Sequence, residues 1–285
     1  MGYSYVKKLQ NSEFQRFAIL LFRWGCNVIL GDYQGNFVKK ERIPFNFKNF
    51  RVLPTGYLFF TLNRQNIHME GFSEMQVLIT DKNFRIISAG FPYHYDNALR
   101  YEMKDYTSSF GKKVNFAFKF SDKVYGYVDT LTVQEKYRLD FSGKELPARY
   151  LGMSSKEVFD ALKSTDYYFF MGNYIENDTH EYFLILNHSK KSRRTILFRD
   201  KTSGKLKGGN ILPEDSYILL FTAPFTARKN EFIGALDTYG IHLMLSELKK
   251  DEKYKAAYNR LNDLFGHLEE DANPVLVRYT LKNFD

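Results

Sequence analysis

The sequence predicts an all-β protein assembled from repeated antiparallel sheets, on three observations. Aromatic residues make up 17% of the chain, with 27 Phe and 21 Tyr, and such side chains suit a pleated, half-buried surface. Short apolar segments follow one another with tight polar turns between them. An aspartate recurs at those turns at nearly regular distances.

The segment from Phe50 to Gly90 shows the pattern best. Phe50-Arg51-Val52-Leu53 reads as a strand, and Pro54-Thr55-Gly56 as a turn in which glycine can take a positive φ. Tyr57 to Asn63 reads as a second strand, and a polar loop runs from Arg64 to Glu74. Gln76 to Thr80 is a third strand, Asp81-Lys82-Asn83 a tight turn and Phe84 to Ser88 a fourth strand. Four strands in succession form one antiparallel meander.

Related patterns recur along the chain. Phe17 to Phe22 and Asn27 to Leu30 precede Asp32-Tyr33-Gln34-Gly35. Asn115 to Phe120, Lys123 to Asp129 and Glu135 to Phe141 lead into Asp140-Phe141-Ser142-Gly143. Tyr167 to Tyr174, Tyr182 to Asn187 and Arg194 to Phe198 lead to Asp200 and Gly204. Tyr217 to Thr222 and Phe232 to Asp237 begin a last unit. About five sheet units are visible in this way. From Asp32 to Asp81 is 81 − 32 = 49 positions, from Asp81 to Asp140 is 59, and from Asp140 to Asp200 is 60. Four-stranded propeller blades repeat at about 40 to 50 residues, so the spacing fits a β-propeller of four-stranded antiparallel blades with inserted loops, in one domain over residues 1–285. A β-sandwich would carry the same turn signals.

Two helical insertions break the strand pattern. Ser154-Ser155-Lys156-Glu157 reads as a capping box that opens a helix over about 154–163. Leu245, Leu248, Tyr254, Ala257, Tyr258, Leu261, Leu264, Phe265 and Leu268 give an interrupted apolar stripe over about 244–268, expected to pack against the sheets. Asn273-Pro274 ends it, and about 275–281 reads as a closing strand returned to the final sheet. Such a return suits a closed ring, where closure removes exposed strand edges.

The C-terminal run Asp271-Ala272-Asn273-Pro274-Val275-Leu276-Val277-Arg278-Tyr279 resembles the end of a large family of bacterial six-bladed, NHL-like β-propeller proteins, many of them predicted lipoproteins. Gly31 to Val38, Val77 to Ile87, and Glu135 to Phe141 leading to Leu146-Pro147, look like the same family. With five units against six blades, the chain looks like a shortened member, and the further Asp-x-x-Gly turns and the Gly-Pro-rich loop of the family's N-terminal part are absent. The resemblance implies an extracytoplasmic location, periplasmic or at the cell surface, although the lipoprotein leader is not in this chain. It implies no set of catalytic residues.

Composition narrows the rest. The single cysteine, Cys26, rules out an intramolecular disulfide and reads as a buried small hydrophobe. The apolar run Phe17 to Leu30 is broken by Arg23 and is too short to span a bilayer. The formal charge of +8 suits acidic partners, but the basic residues are spread along the chain, as on solvated faces. Phe45, Phe47, Lys48, Phe50 and Arg51 interleave rings and cations as a nucleic-acid surface does, yet their alternation places the rings in a sheet core, which argues against nucleic acid.

No catalytic motif is present. His68, His94, His180, His188, His242 and His267 show no zinc spacing, and His180 with His188 is the nearest approach to a metal pair. There is no GxSxG, P-loop, GxGxxG or EF-hand pattern; Lys207-Gly208-Gly209 reads as a turn, and Asn177-Asp178-Thr179 as a turn with oxygens that calcium would accept. Glu269-Glu270-Asp271 reads as a solvated helix end. No metal, cofactor or catalytic residue is assigned. His94, Tyr95 and Asp96, in a polar aromatic loop after Pro92, are the candidate binding residues, because loops on a rigid scaffold carry recognition. The expectation is a non-enzymatic binding or scaffold protein for a small molecule, glycan, peptide or protein. The alternative is a propeller hydrolase or lyase with a metal in its channel.

Overall fold

A computed structural model of the chain describes residues 6–7, 18–22, 27–31, 36–61, 66–92, 108–110, 113–127, 132–189, 194–209, 223–250, 252–269 and 271–284. It is mostly β, with antiparallel sheets and three α-helices. The chain divides into two compact units, Met1–His94 and Tyr95–Asp285.

The first unit holds two four-stranded meanders. In one, β1 (Val6–Lys7), β2 (Ala18–Phe22), β3 (Asn27–Gly31) and β4 (Phe37–Arg42) pair in sequence order. In the other, β5 (Phe47–Val52), β6 (Gly56–Thr61), β7 (Met75–Asp81) and β8 (Ile86–Pro92) do the same. Every residue of β6 is buried, so both faces of that strand are covered. Its ring residues centre a cluster of Ile43, Phe45, Tyr57, Phe59, Leu78 and Phe84, against which Phe47 and Phe50 pack. The rings that a nucleic-acid surface would need are therefore part of the core.

Two glycines correct the turn reading. Gly56 closes the turn after Leu53 without a positive φ. A Cβ there would lie 1.9 Å from the Thr80 carbonyl oxygen, so glycine is required by the close approach of β7. Lys207-Gly208-Gly209 is not a turn but most of the edge strand β16 (Leu206–Gly209), where a Cβ on Gly208 would lie 2.0 Å from the Ile196 carbonyl oxygen.

The second unit holds three sheets. β9 (Ser108–Phe110), β10 (Lys113–Ala117), β11 (Lys123–Tyr127) and β12 (Val133–Arg138) form one, and β13 (Phe169–Glu176), β14 (His180–Leu186), β15 (Arg194–Asp200) and β16 the next. The last has three described strands in the order β17 (Pro224–Arg228), β18 (Glu231–Leu236) and β19 (Val275–Thr280). The strand expected at Tyr217 to Thr222 lies outside the described residues, as does Cys26. The closing strand is seen as β19, which pairs along β18 from Leu236↔Val275 to Glu231↔Thr280. β13, the first strand of its sheet, lies against both β9 and β17, and β17 lies against β9. The three sheets of this unit thus meet along their first described strands.

The turn aspartates act as local geometry requires. Asp81 Oδ1 accepts from the backbone N–H groups of Asn83 and Arg85, Asp140 Oδ1 from that of Ser142, and Asp200 Oδ1 from those of Thr202 and Ser203. Asp81 and Asp200 each end the third strand of a sheet. Asp140 instead follows a fourth strand, because β9 precedes β10, and the chain then leaves the sheet for a short 3₁₀ turn and α1 (Ser155–Ser164). Ser154 and Glu157 form the expected capping box.

The second helical insertion is two helices and begins earlier than expected. Asp237 caps α2 (Thr238–Lys249) by accepting from Gly240, and a 3₁₀ turn at Glu252–Tyr254 separates it from α3 (Lys255–Phe265). The break falls where the charged run Lys249 to Lys253 leaves no apolar side chain to continue the stripe. Ile241, Met244, Leu245, Leu248, Ala257 and Leu261 pack mainly between the two helices, with only Leu236 and Val275 from the sheet. Most of the stripe is buried or partly buried, chiefly helix against helix, while Leu264 is exposed.

Candidate functional site

His94, Tyr95 and Asp96 lie outside the described residues. His180 and His188 do not come together. One begins β14 and the other lies beyond its end, about 26 Å of strand away at the usual rise. Asn177 Oδ1 is occupied by Thr179 N, Thr179 Oγ1 and His180 N at 2.9, 3.2 and 2.7 Å, so that turn closes on itself. Among the described residues no three His, Cys, Asp or Glu side chains are grouped as metal ligands.

The structure instead gathers buried polar groups around the β13–β14 hairpin. Glu176 ends β13, and Glu181 stands opposite it on β14. The two are 3% and 1% exposed, which requires compensation for both charges. Tyr174 adds a phenol from β13. β12 brings in Lys136 and Tyr137, β10 brings Asn115, and Arg199 and Lys201 come from the end of β15 and the turn after it.

The contacts form a closed network. Lys136 Nζ donates to Tyr174 Oη at 2.7 Å and Glu176 Oε2 at 2.9 Å, and lies 3.4 Å from Glu181 Oε1. The first two contacts are hydrogen bonds and the third is an ion pair. Lys201 Nζ meets Glu176 Oε2 at 2.8 Å and the Asn177 carbonyl at 2.5 Å. Asn115 Nδ2 donates to Glu176 Oε1. Glu181 accepts from Tyr137, Tyr174 and Arg199 at 2.9, 2.8 and 3.0 Å. Two carboxylates thus face three cations, and the cluster fastens the third sheet to the fourth.

Three of its groups are shifted away from neutral pH. Burial pushes the Glu176 carboxyl upward, but Lys136 and Lys201 outweigh this and hold it below the ordinary value. Burial and Glu181 push the Tyr137 phenol up to about 12, and burial with Glu176 and Glu181 raises that of Tyr174 further. General acid–base work needs a group that titrates near the working pH, and these groups are moved away from it.

A second buried pair lies at the same end of the sheet. The His180 ring is fully buried, with Nδ1 2.9 Å from Thr179 Oγ1 and the Phe284 ring 4.9 Å away. Its Nε2 is 4.0 Å from Asp200 Oδ2, beyond hydrogen-bond reach. Burial lowers the His180 pKa, and Asp200 only partly opposes this. Backbone N–H groups of Ser203, Phe284 and Thr202 hold the Asp200 carboxyl at about 2.

The sequence over residues 2–280 matches the domain of unknown function DUF4934. The chain belongs to the DUF4934 family. No curated protein matches this DUF4934 chain. Among solved structures, a candidate exported protein of Bacteroides fragilis NCTC 9343 superposes on 99% of this chain and 77% of its own length, with 15% identity and a TM-score of 0.67. At that identity the likeness shows a shared fold alone. Streptogramin B lyase aligns with 78% of this chain and 61% of its own at 15% identity, but its TM-score of 0.36 carries no argument. No helix among the described residues is long and apolar enough to cross a membrane.

The ionic cluster escaped the sequence reading because its members come from five strands and a turn. One local signal existed. Glu176 and Glu181 flank a tight turn on two otherwise apolar, aromatic strands, where an acidic residue needs a buried partner.

Proposed function

We propose that this DUF4934 chain is a non-enzymatic binding protein of the cell exterior. Its sheets are blades of one NHL-like β-propeller over residues 1–285, and it presents loops, His94-Tyr95-Asp96 among them, to a glycan, peptide or protein. The observation that carries this reading is the closed network around Glu176 and Glu181. The most buried acidic pair on the described sheets is spent on joining them, which is what a rigid scaffold for recognition loops requires. The fold shared with a candidate exported protein supports an extracytoplasmic place. The meeting of β9, β13 and β17 supports the propeller arrangement.

The test is to screen the full chain against immobilised glycans and peptides while assaying each bound compound for cleavage. Saturable retention of one class, with the compound recovered intact, is the expected result. Multiple-turnover cleavage that stops on chelation and returns with a stoichiometric divalent metal would replace this reading with a metal-dependent hydrolase or lyase.

A further inference from the structure

We propose that the first unit carries a recognition hollow for a hydroxy-carboxylate, as borne by a uronic acid residue of an acidic glycan or by a free sugar acid. The proposal rests on the binding reading above and names its ligand class. The hollow has a volume of about 610 Å³ and is lined by Arg42, Ile43, Pro44, Asn46 and His68, within the range of roughly 300 to 1,000 Å³ common for small-ligand sites.

Its walls are held in place by buried anchors. Ile43 and Phe45 are both fully buried and root the segment between β4 and β5 in the aromatic core. The fully buried Asn66 holds Asn46 at both ends of its backbone: Asn46 N–H donates to Asn66 Oδ1 at 2.6 Å, and Asn66 Nδ2 donates to the Asn46 carbonyl at 2.9 Å. His68 Nε2 lies 2.8 Å from the Pro44 carbonyl. Two side chains of the 66–68 segment thus clamp the 44–46 segment, and preorganised walls lower the ordering cost of binding.

The chemistry of the lining selects the ligand. Arg42 is exposed at the end of β4, and a guanidinium suits a carboxylate through two parallel hydrogen bonds. A carbonyl only accepts, so the bond to Pro44 places a proton on His68 Nε2 and leaves Nδ1 for a ligand. A hydroxyl both donates and accepts and so suits that ring nitrogen in either role, and with the guanidinium the lining fits a ligand with both a hydroxyl and a carboxylate. The exposed Pro44 supplies an apolar surface for the C–H face of a sugar. The formal charge of +8 favours encounter with such anions.

The experiment is titration calorimetry of the full chain with an oligoglucuronate, with free glucuronic acid and with an uncharged oligoglucose of equal length. It is repeated on Arg42→Gln and Arg42→Lys. The acidic ligand binds the wild type, R42Q weakens it by about ten- to a hundredfold, as loss of a charged hydrogen bond implies, and R42K falls between. Because Arg42 is exposed, both variants keep the wild-type melting temperature. Tighter binding of the oligomer identifies an acidic glycan, and equal affinity for the monomer identifies a free sugar acid. If R42Q binds as the wild type does, or the uncharged sugar binds as well as the acidic one, this site is wrong while the binding reading stands. If no glycan or peptide binds at all, the binding reading itself is overturned.

Discussion

The same four-stranded meander is held by apolar rings in one region and by apolar packing together with buried charges in another. In the β5–β8 sheet, Phe59 meets Phe45 and Phe47 edge-on at centroid distances of 4.9 Å and stacks on Phe50 at 5.8 Å. Such pairs add about 0.5 to 1.5 kcal/mol each beyond simple burial. Where the β9–β12 sheet joins β13–β16, an apolar cluster of Ala117, Val124, Phe170, Phe183 and Ile185 is joined by the Glu176–Glu181 network with Lys136, Lys201 and Arg199. A ring cluster tolerates changes of pH. A buried ionic cluster depends on the charge of every member, and removing one member leaves its partners unpaired. The difference teaches that blade-like repeats can share topology while differing in what makes them fail.

The largest expected effect is in the ring cluster. Phe59→Ala empties a site that is 1% exposed and should cost about 3 to 5 kcal/mol in chemical denaturation, with the same loss at pH 5 and pH 8. Lys136→Met removes a cation that touches both carboxylates and should cost about 3 kcal/mol at pH 7. Its cost should shrink toward pH 4, as Glu176 takes up a proton. A pH-independent K136M penalty would show that the lysine acts only through its packing. Gly56→Ala places a methyl 1.9 Å from the Thr80 carbonyl oxygen, so the strand must shift, at about 1 to 3 kcal/mol. At the low end, Glu247→Ala breaks an exposed pair with Lys250 and should leave the melting temperature unchanged.

What the sequence disclosed follows from the range of each interaction. The Asp81, Asp140 and Asp200 turns and the Ser154–Glu157 capping box are made within a few residues, so residue type and spacing expose them. Gly56 was half legible. A glycine in a turn was evident, but its reason lies 24 positions away at Thr80. The helix at 244–268 was recognised by its stripe, but Asp237 read as the end of a strand, which hid its second role as the cap of α2. The pairing of Glu176 with Lys136, 40 positions apart, depends on the chain between them folding into two adjacent sheets, and no local pattern records that.

The central claim is that buried charge, added to apolar packing, helps hold the third and fourth sheets together, and acid tests it directly. Glu176 has a folded pKa below its ordinary 4.5. Its contribution is therefore present above pH 4.5 and is lost as pH falls through the folded value. His180, depressed from 6.5 by burial, works in the same direction: the unfolded chain takes up its proton first, so stability falls as pH drops below 6.5. The measurement is hydrogen–deuterium exchange on the full chain between pH 7 and pH 4, corrected for intrinsic exchange rates. Protection in β12–β15 should fall ahead of protection in β5–β7. Equal loss in the two regions, or earlier loss in the ring-packed sheet, would contradict the account.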